Sequence, residues 1–432
     1  MDAARSQGQG RRPAPAGDPM NDLTAQWTQL LAQGEEGAAR TLDALLEEAV
    51  RRRASDIHIE PWQDCVAVRF RVDGMLHDVA RLPSVHHARL TGRLKVVAQM
   101  LTYQRDLPQD GRIHAGSVSC GKAMRVSTVP TVYGEKSVIR ILDVDPRMFS
   151  LDALGFLPEL AASLRHLVRR PHGVLLLTGP ASSGKTTTIY ALLNEILNAR
   201  QRATHMVTLE DPVEYRLGQV TQCEVNPHAG FTFEVALRAL LRQDPEVIMV
   251  GEIRDPETAR IAVQAGLTGH FVISTVHSGS AAGVFTRLLD MGVEPFLAAS
   301  AVIGVLAQRL VRRICPQCRR EDPAPDPVAK ACLGIADDPR PICHGTGCEA
   351  CGQIGYLGRL AIGELLTVNE AIAELVLARA RTSVLHQAAL DAGMNPMLRE
   401  GLQRVWEGTA TLEELLWVLP AQDHESSDDG AQ

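Results

Sequence analysis

Between residues 23 and 50, apolar positions recur three or four residues apart. Leu30, Leu31, Leu42, Leu45 and Leu46 stand there among polar neighbours, which predicts one or two amphipathic helices. Packing on the next domain and docking of a partner are both open uses, because periodicity reports burial and not its purpose. From Ser55 to about Asp145 the pattern is mixed. Val66, Val68, Phe70 and Val72 alternate with mostly polar residues, as in a half-buried strand, and Asp73-Gly74 supplies a hairpin turn. Residues 87–103 read as a helix, with further strands at Ile113, 124–129 and 137–142. Residues 143–148, which include a proline, read as a linker.

From Leu151 onward, apolar runs of four or five residues recur between helical stretches, at 174–177, 206–209, 247–250 and 271–274. Short buried strands alternating with helices imply βα units and a largely parallel sheet. A cysteine-bearing, proline-rich segment follows at 315–351. Residues 371–419 read as helical, with Thr411 and Glu414 spaced as a capping box. The chain thus divides into a disordered 1–22, amphipathic helices over 23–50, a small α/β domain over 51–145, a larger α/β domain over 146–314, an insertion over 315–351, a C-terminal helical part over 352–420 and a disordered acidic tail over 421–432.

Composition narrows the function. A net charge of −7 and 4% aromatic residues argue against a general nucleic-acid binder, which needs a basic surface and stacking platforms. No run of 18 apolar residues is present to span a bilayer, and the first residues lack the apolar stretch of a secretory signal. A cytoplasmic protein is expected. Nine cysteines, four of them in two Cys-x-x-Cys pairs, then point to metal rather than disulfides.

The strongest chemical signal is Gly179-Pro-Ala-Ser182-Ser183-Gly184-Lys185-Thr186, the phosphate-binding pattern G-x-x-x-x-G-K-[ST]. A strand precedes it, and a helix follows from Thr187. Backbone N–H groups and the positive helix end would face phosphates, the glycines permit close approach, Lys185 neutralises β- and γ-phosphates, and Thr186 holds Mg²⁺. Two later strands end in acids, Glu210-Asp211-Pro-Val-Glu214 and Gly251-Glu252, on the side of a parallel sheet where ligands bind. Glu210 is the candidate for polarising the attacking water and Glu252 for the Mg²⁺ shell, while Asp211 and Glu214 order the loop or are helix N-caps or solvated charges. Asp255-Pro256-Glu257 reads as a helix cap without chemistry. Arg238 and Arg242, four residues apart and so on one face of a helix, read as ion-pairing residues, with a phosphate contact as the alternative. His277, at the ligand end of its strand, is a candidate γ-phosphate sensor; His270, at the other end, has the weaker claim. Cys315-x-x-Cys318 and Cys348-x-x-Cys351 suit a tetrahedral structural zinc site, with Cys332, Cys343 and His344 between them as competing ligands. Arg309, Arg312, Arg313, Arg319 and Arg320 form a local basic group, read as a solvated or intersubunit face, with anionic lipid as an alternative.

Taken together, these residues resemble the hexameric ATPases of type II secretion and type IV pilus assembly, over roughly residues 54–419. The marks are Ser55-Asp56-Ile-His58-Ile-Glu60-Pro, Gln109-Asp-Gly-Arg112, Arg125-Val-Ser-Thr-Val-Pro-Thr131 with Gly134-Glu-Lys136 and Arg140, then the phosphate loop. The family's aspartate box follows at Glu210 to Glu214, its Walker B segment through Glu252 and Arg254, and its histidine box from Thr268 to His277. The resemblance implies a RecA-like P-loop ATPase domain preceded by a small PAS-like α/β domain. It implies nucleotide phosphates reached by Arg112, Arg125 and Arg140, and a homo-hexamer acting on inner-membrane secretion platform proteins. The cofactors implied are ATP, Mg²⁺ and structural Zn²⁺. The tetracysteine insertion points to the secretion or pilus-extension branch, and the stretch 281–313 is more similar to type II secretion.

Two features depart from the pattern. About fifty residues precede Ser55, fewer than the docking domain relatives often carry, so any partner contact is expected from 23–50. Val276-His277-Ser278-Gly279 replaces the commoner Leu-His-Thr-Asn, which keeps the histidine and implies tuned kinetics. The expected function is a cytoplasmic ATPase, peripheral to the inner membrane, that drives pseudopilus assembly for protein export. The alternatives are a pilus-assembly or DNA-uptake motor of the same fold, a non-hydrolysing nucleotide-dependent scaffold, and a RecA-type nucleic-acid motor.

Overall fold

The apolar stripe at the start of the chain forms two helices, α1 (Pro19–Leu31) and α2 (Glu35–Arg51). Trp27, Leu31, Leu42, Leu45, Leu46 and Ala49 are buried in the same core as Ile57, Val68 and Phe70 of the following sheet, so the stripe packs on its own domain. The computed structural model describes residues 19–142, 149–200 and 203–419, in two compact units that divide at residues 143 and 144. Helix α1 begins at Pro19, so residues 19–22, expected to be disordered, are its first turn. The disorder expected of residues 1–18 and 421–432 and the linker at 143–148 lie outside the described residues.

The first unit continues with β1 (Ala54–Pro61), β2 (Cys65–Val72), β3 (Met75–Pro83), α3 (His87–Val97), β4 (Gln109–Ile113), β5 (Met124–Thr131) and β6 (Gly134–Ile141). The strands form one antiparallel sheet ordered β3-β2-β1-β6-β5-β4. Asp73 (φ 48°) and Gly74 (φ 89°) are both left-handed, which is what a tight turn between twisted strands requires. Helix α3 ends at Val97, six residues before the expected Tyr103. Gln99 turns to φ 59°, and the Met100 N–H closes back on the Lys95 carbonyl at 2.8 Å, a helix stop of the left-handed kind. Leu101 and Tyr103, whose apolar character extended the expected helix, are exposed.

The second unit runs α4 (Leu151–Leu154), α5 (Pro158–Leu167), β7 (Gly173–Thr178), α6 (Lys185–Ala199), β8 (Met206–Glu210), β9 (Thr221–Glu224), α7 (Phe233–Leu240), β10 (Val247–Ile253), α8 (Pro256–Leu267), β11 (Phe271–Val276), α9 (Gly283–Asp290), α10 (Pro295–Ala301) and β12 (Val302–Ile314). Then come β13 (Arg319–Glu321), α11 (Pro327–Cys332), β14 (Cys343–Gly345), β15 (Tyr356–Thr367), α12 (Glu370–Leu377), α13 (Thr382–Asp391), α14 (Met397–Trp406) and α15 (Leu412–Val418). Seven strands form one sheet ordered β15-β12-β7-β11-β10-β8-β9, parallel except for β15. Successive residues of β7 feed opposite cores: Val174 and Leu176 join the α7–α10 side, and Leu175 and Leu177 the α4–α6 side.

Three strands escape a reading by period. β12, and β15 from Ala361 to Leu366, are buried on both faces and show no alternation, whereas β9 is a partly exposed edge strand of four residues, too short to show one. Residues 356–367, expected within a helical part, form an edge strand antiparallel to β12, and helices resume at Glu370. The capping box of α15 is half made. Thr411 accepts the Glu414 N–H, but the Glu414 carboxylate turns to the Arg312 guanidinium at 2.7 Å. No helix among the described residues is long and apolar enough to cross a membrane.

Candidate functional site

Strand β7 ends in Thr178 and hands the chain to the phosphate-binding loop. Gly179 (φ 148°), Ser182 (φ 61°) and Gly184 (φ 86°) curl it over the first turn of α6. A side chain on Gly179 would stand 2.4 Å from the Gln308 carbonyl of β12, so only glycine allows that strand to pack so closely. Gly184 sits at the N-cap position and has no side chain to cap with. The first-turn N–H groups, including those of Lys185, Thr186 and Thr187, are left pointing out of the helix end, an arrangement that receives an anion. Lys185 Nζ donates to the Gly179 and Pro180 carbonyls, at 2.8 Å each. Burial, then the charge of Arg309, lowers the Lys185 pKa, and Glu252 opposes that shift.

Glu252 stands on β10 with the Arg254 Nε at 2.6 Å and the His277 Nε2 at 3.8 Å. Thr178 and Ser278 exchange hydrogen bonds at 2.9 and 3.0 Å, tying the end of β7 to the loop after His277. Lys185, Glu252 and His277 therefore converge on the loop. Glu210 is buried and takes hydrogen bonds from Tyr190 (2.5 Å), Thr208 (2.5 Å) and Gln222 (3.1 Å). Burial and the Glu210 carboxylate raise the Tyr190 phenol far above its ordinary pKa. Asp211 is exposed, and no helix follows it for it or Glu214 to cap. Asp255 caps α8 through the Thr258 N–H, and Arg238 pairs with Glu234 and Glu257. His270 bonds the Ala265 carbonyl at the far end of its strand.

Sequence reasoning missed Tyr190 and Gln308, and read Arg309 only as part of a basic group on a solvated or intersubunit face. Gln308 is buried; its amide donates to the Ser183 carbonyl at 2.7 Å and accepts the Thr188 hydroxyl at 2.8 Å, which fixes the loop from β12. The available signals were a tyrosine inside an apolar helix and a glutamine inside an apolar run, since buried polar tips need partners.

In the first unit the arginines form a row. Arg140 pairs in register with Arg125, and Arg125 with Arg112, across β6, β5 and β4. On the other side of β6, Asp56 of β1 faces Arg140 and binds its Nε at 3.0 Å. Residues paired in register share a face, so all three arginines lie on the side of the sheet opposite Ile57 and Ile139, which point into the helix-covered core. On that same face Glu60 pairs with Arg69 and, at 2.6 Å, with Lys136.

Cys315, Cys318, Cys348 and Cys351 bring their sulfurs together. The Sγ separations are 3.8 Å for Cys315–Cys348, 3.9 Å for Cys318–Cys351 and 3.7 Å for Cys348–Cys351. Tetrahedral metal–sulfur bonds of ~2.3 Å place sulfurs about 3.8 Å apart, so the set suits a soft divalent ion. The Cys348 and Gly355 N–H groups donate to Cys351 Sγ. Burial pushes that thiol up, but these donors outweigh it and bring it to about 7. Cys332, Cys343 and His344 are not part of this cluster. The basic group disperses: Arg312 pairs with Glu414 and lies 4.0 Å over the Tyr356 ring, whereas Arg309 flanks the phosphate loop.

Comparison with known proteins agrees with this geometry. The family model for type II/IV secretion system protein matches residues 32–417. The type II secretion system protein HxcR of Pseudomonas aeruginosa is 46% identical over 92% of this chain and 81% of its own length. The type II secretion system ATPase E of Vibrio cholerae is 43% identical over 90% of this chain and 77% of its own. Among solved structures, the pilus retraction motor PilT with bound ADP matches with a TM-score of 0.59 and 25% identity, over 88% of this chain and 96% of that one. The chain therefore belongs to the type II/IV secretion system protein family.

Proposed function

We infer that the protein is an ATP-hydrolysing motor of type II protein secretion. The observation that carries this is the cluster of Lys185, Glu252 and His277 around an uncapped phosphate-binding loop, in a chain whose relatives are secretion ATPases. Water attacks the γ-phosphorus in line, the bond to the β-phosphate oxygen breaks, and ADP and phosphate leave. Lys185 and the backbone N–H groups of Ser183, Gly184 and Thr187 hold the polyphosphate. Glu210, locked in one orientation by three donors, polarises the water. His277 reads the terminal phosphate through Glu252. Thr186 and Glu252 would hold Mg²⁺, which neutralises phosphate charge when bound. Arg112, Arg125 and Arg140 neutralise phosphate charge as a row.

The active form is a homo-hexamer, cytoplasmic and peripheral to the inner membrane, that moves platform proteins and assembles pseudopilus subunits. The large unit is RecA-like, the small one PAS-like, and the four cysteines hold a structural zinc. Mg²⁺-dependent ATP hydrolysis measured against protein concentration tests the motor, with Lys185→Ala beside the wild type. Turnover per protomer that rises with concentration and vanishes in the variant is expected. ATP binding without turnover at any concentration refutes the motor and leaves a scaffold.

A further inference from the structure

Arg309 stands beside the phosphate loop with carbonyls for hydrogen-bond partners. It follows Gln308 on β12, and Gln308 is clamped to the phosphate loop through the Ser183 carbonyl. The Gln308 carbonyl presses against Gly179, and a side chain at Gly179 would come within 3.3 Å of the Arg309 guanidinium. The guanidinium is therefore fixed at the first residue of the loop. Its hydrogen bonds go to two carbonyls, Gln308 O at 3.1 Å and Gly279 O at 3.4 Å. No carboxylate lies within ion-pair distance of it among the described residues, although the side chain is half-buried. Arg312, Arg238 and Arg165 pair with acids; Arg319 and Arg320 also bond only to carbonyls, but they are exposed and away from the phosphate loop. A guanidinium has five donors in a planar fork, so most of its capacity is unused here.

Electrostatics make the same point independently. Burial lowers the Arg309 pKa, with Glu364 opposing. Arg309 in turn is the charged group that most lowers the Lys185 pKa. Two like charges are thus held beside one loop in partial burial, an arrangement that costs free energy until an anion arrives between them. The second hydrogen bond gives the residue a further reach. Gly279 lies two residues after His277, so the fork spans from the phosphate loop to the segment that follows β11.

We propose that Arg309 is a second phosphate-binding cation of the nucleotide site, supplied from within the same chain by β12, and that it trades its Gly279 carbonyl for a nucleotide phosphate oxygen on binding. This rests on the ATPase reading above. It assigns Arg309 to the phosphates beside Lys185, while the Thr178–Ser278 bonds keep the loop after β11 in place.

The test is calorimetric binding of Mg²⁺·AMP-PNP to the full chain, with Arg309→Gln, Arg309→Lys and Lys185→Ala beside the wild type, and melting of each nucleotide-free protein. A charge-assisted hydrogen bond is worth roughly ten- to a hundredfold in Kd. Arg309→Gln is expected to weaken binding by that factor with an unchanged nucleotide-free melting temperature, and Arg309→Lys, which keeps the charge and loses the fork, to weaken it less. Unchanged affinity in Arg309→Gln, while Lys185→Ala still abolishes binding, overturns the assignment and leaves the ATPase reading intact. Equal losses in both variants with equally lowered melting temperatures make Arg309 a strut, which overturns it too. A wild type that binds no nucleotide refutes the ATPase reading itself, and this proposal with it.

Discussion

Replacing Tyr190 with Phe removes one oxygen atom from the interior of the second unit and tests how Glu210 is held. Tyr190 is 1% exposed, and its ring packs edge-on to Phe149 with centroids 5.4 Å apart, a contact that Phe keeps. The lost group is the hydroxyl that donates to Glu210 Oε2 at 2.5 Å. Thr208 and Gln222 both bind the other oxygen, Oε1, so neither replaces the missing donor without moving. A buried charge-assisted hydrogen bond removed from one side costs about 1.5–3 kcal/mol. For a cooperative unit of this size that lowers Tm by roughly 3–5 °C. Thermal unfolding of wild type, Tyr190→Phe, Glu210→Gln and the double variant forms a cycle with an expected coupling of about 1 kcal/mol or more. If Glu210 also polarises the attacking water, Tyr190→Phe lowers kcat about tenfold and leaves AMP-PNP affinity unchanged. A Tm within 1 °C of wild type, with no coupling in the cycle, would show that the hydroxyl does not hold Glu210, and the argument would fail.

Other perturbations have equally definite outcomes. Lys95 is 1% exposed and pairs with Glu135; Lys95→Met strands a buried carboxylate and is expected to cost ~3–5 kcal/mol, with most of it restored by adding Glu135→Leu, measured by urea unfolding. Leu45→Ala empties a site with no exposure and should cost ~2–5 kcal/mol in the same assay. Zinc analysis of the purified chain should give one ion per protomer, and Cys348→Ser should lose the ion and expose residues 315–355 to protease. Burial raises the Glu60 pKa, but Lys136 and Arg69 outweigh it and hold it below the usual carboxylate range. Its stabilising contribution is therefore present above about pH 4.5 and lost as pH falls through the lowered value; Glu60→Gln should flatten that part of the acid unfolding curve, and an unchanged curve would refute the assignment.

What the sequence disclosed follows from which patterns physics writes locally. The phosphate loop was legible because a strand, a glycine turn and a helix start must be contiguous for the chemistry. The cysteine cluster was legible because soft ligands come in closely spaced pairs. The hairpin at Asp73-Gly74 was legible because only a few residue types tolerate its backbone. Strands β12 and β15 were not. Both are apolar on the two faces, so neither shows a period, and their pairing joins residues far apart in the chain. Arg309 was legible only as one of a local basic group, for the same reason. Its place beside Gly179 depends on which strand lies next to β7, a fact of sheet order. The arginine row was visible only as three separate residues until strand register put them on one face.

The pairing of β12 with β15 has a further consequence. Ile314 pairs with Tyr356, and the segment between them begins at Cys315 and carries Cys351 near its other end. A metal held by those sulfurs fastens the chain just beyond the last paired residues, so about forty intervening residues behave, for the encounter of the two strands, as a turn of a few. Loop closure grows as (3/2)RT ln n, and the clip lowers that entropic cost by about 2 kcal/mol. An ion bound there would act as a timing element for assembly, letting β15 meet β12 at the entropic cost of a short turn.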